Sequence, residues 1–97
     1  MTEDRRMSVR VVISGRVQGV WYRNWTVTEA KARGLDGWVR NRQDGTAEAL
    51  FSGPDTRVRD MIGACDAGPP LAKVDTITEH PEDVLEPGVG FEQRGSG

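Results

Sequence analysis

Val9, Val11 and Ile13 alternate with Arg10, Val12 and Ser14, the period of two expected of a strand covered mainly on one face. Asn24 to Arg33 predicts a helix closed by Gly34, a residue suited to the position just past a helix end. Its apolar stripe is thin: Tyr22, Trp25 and Ala30 can face inward, while Glu29 and Arg33 break the spacing. Those two stand one helical turn apart in acid-to-base order, which predicts an ion pair on the surface. Leu35 to Asn41 forms a second strand, Gln43-Asp44-Gly45 a turn, and Thr46 to Ser52 a third strand with Ala47, Ala49 and Phe51 on one face. Ser52-Gly53-Pro54-Asp55 reads as a helix start, with Asp55 complementing the helix dipole. Val58, Met61, Ile62 and Cys65 then form a clear helical stripe, stopped by Gly68-Pro69-Pro70. Leu71 to Thr78 offers a fourth strand, and a loop rich in Pro, Glu and Asp leads to a short last strand around Gly90 to Arg94.

The order strand, helix, strand, strand, helix, strand is that of a ferredoxin-like α/β sandwich. The expected class is α+β, with two helices on one face of an antiparallel sheet and a short extra edge strand. The strand at Leu35–Asn41 is expected beside the first. Residues 8–94 form a single domain by this reading, with flexible tails at 1–7 and 95–97. Such a fold hosts many unrelated functions and does not by itself select one.

The chain has 97 residues, 36% apolar and 29% charged, with a net charge of −2, which suits one soluble domain with a modest core. That balance offers no electrostatic basis for binding nucleic acid or an anionic membrane. A nucleic-acid-binding sheet would also need a basic face carrying paired aromatics. No apolar run is long enough to span a bilayer, and the first six residues lack the apolar stretch of a signal peptide, so a cytoplasmic protein is expected. A monomer is expected, although exposed edge strands can pair. The single Cys65 excludes an internal disulfide or a cysteine metal cluster, and its place on the apolar stripe makes it inert core. His80 is expected to be solvated in a loop, as is the acidic stretch from Glu79 to Glu86.

The candidate chemistry lies in Gly15-Arg16-Val17-Gln18-Gly19-Val20-Trp21-Tyr22-Arg23. A glycine-punctuated turn from a strand into a helix N-terminus gathers backbone N–H groups and a positive partial charge at one spot, a seat for an anion. Arg23 adds a fixed charge and a planar fork of donors suited to phosphate. The same residues also allow a plainer reading, with Gly15 and Gly19 as turn glycines and Arg23 as a solvated helix residue. The spacing matches neither a P-loop nor a dinucleotide fingerprint. A second segment, Gly37-Trp38-Val39-Arg40-Asn41, ends on an asparagine that could reach the first loop or simply form a turn.

Together the two segments resemble the acylphosphatase family. Gly15 to Arg23 is similar to its first signature, and Gly37 to Asn41, followed by Asp44-Gly45 and Gly53, to its second. The resemblance runs from about residue 8 to 78 and less firmly to Phe91. It implies that Arg23 binds the substrate phosphate and that Asn41 positions the attacking water. It also implies a phosphate cradle made by the backbone N–H groups of Gln18, Gly19, Val20, Trp21 and Tyr22. The implied reaction is hydrolysis of the carboxyl–phosphate bond of a small acyl phosphate, with no metal and no organic cofactor. Three departures stand out: Ala47 where the family usually has valine, Arg33 where it usually has an apolar residue, and a C-terminus without the aromatic residue of many relatives.

An acyl phosphate carries a good leaving group, so positioning and electrostatics make up most of the catalytic task. The neutral amide of Asn41 offers both donor and acceptor to a water, whereas a carboxylate there would repel the phosphate dianion. The alternative function is a module that binds phosphate or an acyl or carbamoyl phosphate without turnover. Trp21 is placed to shape the mouth over the acyl group, Trp25 and Trp38 to pack, and Arg40 and Arg42 to sit on the surface.

Overall fold

A computed structural model describes residues 5–96 of the chain. Its elements follow in the order β1 (Arg6–Arg16), α1 (Tyr22–Ala32), β2 (Asp36–Asn41), β3 (Ala47–Pro54), α2 (Asp55–Ala67), β4 (Lys73–Pro81) and β5 (Phe91–Gln93). The expected ferredoxin-like sandwich is present, with the sheet ordered β4-β1-β3-β2-β5. The four long strands pair antiparallel, and the short edge strand β5 joins β2 in parallel. β2 therefore lies beside β3 rather than beside β1, a correction to the expected neighbour. The Gln43–Gly45 turn pairs β3 with β2, and the crossover from β1 through α1 to β2 spans far enough for β3 to fill the place between them.

Several boundaries move outward. β1 starts at Arg6, so the last two residues of the expected N-terminal tail are strand; Met1–Asp4 and Gly97 lie outside the described residues. α1 begins at Tyr22, two residues early. β4 runs on to Pro81, which puts Glu79 and His80 in a strand rather than a loop, with His80 exposed opposite Arg10.

The core lies between sheet and helices. Val9, Val11 and Ile13 are buried beside Ala47, Ala49 and Phe51 of β3, and α2 buries the stripe Val58, Met61, Ile62 and Cys65 over them. Each Val, Ile, Phe or Met side chain among them, fully buried, contributes about 1.5–3 kcal/mol. α1 has less to bury: Tyr22, Thr26 and Ala30. Arg33 supports it from outside, 2.8 Å from Glu29, the predicted partner, and 2.7 Å from Asp60 on α2.

The open face of the sheet has its own organisation. β4 and β5 occupy opposite edges, so the chain between them must cross this face. One row of the sheet, Ser8 beside Ser52 beside Asp36, receives the crossing segment. The Ser8 carbonyl accepts from Glu82 N–H at 3.0 Å, and Ser52 Oγ accepts from Leu85 N–H at 3.1 Å. Asp36 accepts from Gly90 N–H at 2.8 Å and Gly88 N–H at 3.1 Å. This strap explains why the polar side chains of Ser52 and Asp36 are buried. Further along the face, buried Glu48 is held between Arg40 at 2.7 Å and Arg10 at 3.0 Å. Trp38 is not packed in the core; it lies on this face between the guanidinium groups of Arg40 and Arg94.

Asp36→Ala should lower stability by about 1.5–3 kcal/mol, the range for hydrogen bonds to a charged acceptor, read as a shift of the urea midpoint at constant slope. Burial disfavours ionised Glu48, but the hydrogen bond and charge of Arg40, reinforced by Arg10, outweigh it and hold its carboxyl below the usual range. Ionised Glu48 therefore stabilises the fold above the unfolded-state glutamate pKa of about 4.3, and that contribution fades as pH falls through the lower folded value. The stability gap between wild type and Glu48→Gln should thus be widest near neutrality and shrink in acid, as followed by urea titration at several pH values.

Candidate active site

The first strand ends in an irregularity that shapes everything after it. The pairing of β1 with β4 shifts register between Ser14 and Gly15. A side chain at Gly15 would collide with the Lys73 carbonyl oxygen, so only glycine permits this close approach. Gly19 follows with φ 75° in open space, a requirement of conformation rather than of room. Trp21 also lies in the left-handed region, at φ 67°, costly for a bulky residue, and the indole is 74% exposed. From this bend α1 starts at Tyr22 with no side-chain cap and no acidic residue in its first turn. The free N–H groups of a first helical turn point back along its axis, here toward the loop.

A cleft of about 530 Å³ opens at this point, lined by Val17, Gly19, Trp21, Tyr22, Arg23, Asn24, Asn41 and Gln93. Five of the seven residues singled out from sequence thus share it: Gly19, Trp21, Tyr22, Arg23 and Asn41. The side chains of the other two turn elsewhere. Val20 is buried in the core, and Gln18 reaches the turn between β2 and β3. Gln18 Nε2 donates to the carbonyls of Arg42 at 2.8 Å and Thr46 at 2.9 Å. Those carbonyls flank the turn, whose closure Asp44 supports by accepting from Thr46 N–H and Oγ1.

Tyr22 anchors the helix start. It is 1% exposed, and its hydroxyl donates to the Cys65 carbonyl at 2.6 Å. Burial drives the phenol well above the ordinary tyrosine range, so it holds its proton and serves as a fixed donor. Burial likewise pushes the Cys65 thiol up to about 12, which removes it as a nucleophile near neutrality. Arg23 projects from the first turn of α1, and Nη1 lies 3.4 Å from the Arg94 carbonyl just past β5. Asn41, at the end of β2, has its Oδ1 buried with no hydrogen-bond partner among the described residues.

Gln93 and Asn24 were missed from the sequence. A signal for Gln93 existed in the alternation of Phe91 and Gln93, which puts both on the helix side of the last strand. Among the described residues no group of three or more His, Cys, Asp or Glu side chains is arranged to hold a metal ion.

These features define a ferredoxin-like α+β domain with a polar cleft at its first strand-to-helix turn. The chain belongs to the acylphosphatase family: the family model described as Acylphosphatase matches residues 9–93. A protein named acylphosphatase from Rhodospirillum rubrum is 58% identical over 87 residues, covering 89% of this chain and 93% of that one. The crystal structure of acylphosphatase from Bacillus subtilis superposes with a TM-score of 0.86 at 36% identity, covering 91% of this chain and 98% of the other. The structure of an acylphosphatase from Coxiella burnetii gives 0.88 at 28% identity, covering 95% and 96% of the two chains.

Gln18→Ala should lose the tie between loop and turn. The expected result is a stability loss of about 1–2 kcal/mol by urea denaturation, with weaker competitive inhibition by inorganic phosphate than in wild type.

Proposed function

We propose that the chain hydrolyses acyl phosphates by holding the phosphoryl group between the loop amides of residues 18–22 and the Arg23 guanidinium, while Asn41 holds the attacking water. The observation that carries this reading is Asn41 Oδ1, a buried acceptor without a partner among the described residues, in the cleft that Arg23 also lines. A buried acceptor left unpaired costs about 1–3 kcal/mol, and a water donating to it would recover much of that. The same water would be ready to react.

In the proposed step the water oxygen bonds to phosphorus as the bond from phosphorus to the acyl oxygen breaks. The electron pair of that bond leaves with the carboxylate. A phosphoryl oxygen of the substrate takes the proton from the water, since neither motif supplies a conventional base. Products are the carboxylate and inorganic phosphate. The fixed amides and the guanidinium stabilise charge on the equatorial oxygens without reorganising, which suits a reaction with little covalent work for the protein. Cytoplasmic location, a monomeric state and action without a metal complete the proposed picture.

Benzoyl phosphate hydrolysis tests it. Asn41→Ala should lower kcat by about 10²–10³ while inhibition by inorganic phosphate stays within about twofold of wild type. Arg23→Ala should lose both turnover and phosphate inhibition, and Arg23→Lys should restore little, because an ammonium cannot reproduce the planar fork. Addition of a chelator should leave the wild-type rate unchanged. Phosphate binding without turnover in the wild type would instead identify a holding module.

A further inference from the structure

We infer that Gln93 is a second group holding the nucleophilic water, acting together with Asn41; the inference rests on the role proposed for Asn41. Gln93 lies on β5 in register with Val39 of β2, and Asn41 is two residues beyond Val39 on the same face. The opposite face is identified by its occupants: Arg94 lies over the Trp38 ring at 5.0 Å and pairs with Glu92 at 2.8 Å. Phe91, two residues before Gln93, is buried and stacks on Phe51 with ring centroids 5.7 Å apart. The row is thus apolar until it reaches the cleft, where it ends in an amide.

With strands about 4.8 Å apart and a rise of about 6.6 Å over two residues, this diagonal spans about 8 Å, within reach of long side chains bridged by one water. The Gln93 amide makes no side-chain hydrogen bond within the described residues, although it lines the cleft. Its backbone is nevertheless held in place. Arg94 N–H donates to the Val39 carbonyl at 2.8 Å, and the Arg94 carbonyl receives Arg23 Nη1 at 3.4 Å. In-line attack requires the water opposite the departing carboxylate, and Asn41 marks that side. Gln93 shares it, and so faces the incoming oxygen rather than the acyl group. With Asn41 Oδ1 accepting one proton of the water, the Gln93 carboxamide N–H donates to its oxygen, which leaves the other proton for the phosphoryl oxygen and one lone pair for phosphorus.

The test uses benzoyl phosphate with Gln93→Leu, Asn41→Ala and the double variant, plus Gln93→Glu. Gln93→Leu should lower kcat about fivefold to tenfold, the value of one neutral hydrogen bond, with KM and phosphate inhibition within about twofold of wild type. In the Asn41→Ala background the same change should cost nothing further, because both groups hold one water. Gln93→Glu should be slow at neutral pH and recover as pH falls through the ordinary glutamate pKa of about 4.3, a profile that a packing role would not produce. An unchanged kcat in Gln93→Leu, parallel changes in kcat and KM, or fully multiplicative losses in the double variant would overturn the inference. If Asn41→Ala keeps wild-type kcat, the underlying reading of Asn41 fails; a loss there with none in Gln93→Leu sinks only the role of Gln93.

Discussion

The two halves of the cleft stand on strands that do not touch. Arg23 and its loop follow β1, Asn41 ends β2, and β3 runs between them. A direct tie across that gap is the side chain of Gln18, whose amide nitrogen is shared between two carbonyls at the turn. A hydrogen bond of this kind is modest in net energy, yet it fixes relative position where catalysis needs tolerances well under the width of a water. Gln18 is named by the resemblance for its backbone N–H; its side chain has this separate structural task.

Around that tie the molecule uses backbone geometry in place of reactive side chains. Glycines at the end of β1 allow the chain to approach β4 and then bend, and an uncapped helix start leaves its N–H groups available. The conventional catalysts in the chain are kept out of use: the Cys65 thiol and Tyr22 phenol are buried and retain their protons, and His80 sits exposed on an edge strand. Charge is likewise kept local. The acidic chain places one arginine in the cleft, while Arg10, Arg40, Arg33 and Arg59 are engaged with carboxylates elsewhere.

Most of the architecture was legible from periodicity. The alternation at Val9–Ile13 and the stripe from Val58 to Cys65 each reported their buried face, because one side of each element is apolar and the other polar. The placement of β2 was not legible, since a hairpin turn specifies which strands pair but not which of the two meets β1. The extent of β4 was hidden by its composition: an exposed edge strand needs no apolar alternation, so Glu79, His80 and Pro81 resemble a loop. At the site, the loop and Asn41 were marked by motif. Gln93 was not, because its place in the cleft comes from the parallel pairing of three residues with β2, a contact between distant parts of the chain. Arg33, a departure from the family pattern, is accommodated by carboxylates on both helices rather than by the core.

The strap across the open face has a temporal consequence. Residues from Val17 to Gln93 line a single pocket, so the contact that closes it joins segments far apart in the sequence. During synthesis the loop, both helices and four strands are all made before β5. Long-range contacts of this kind carry the largest loop-closure penalty and tend to form late. Closure of the cleft would then follow the docking of β5 onto strands and helices already in place.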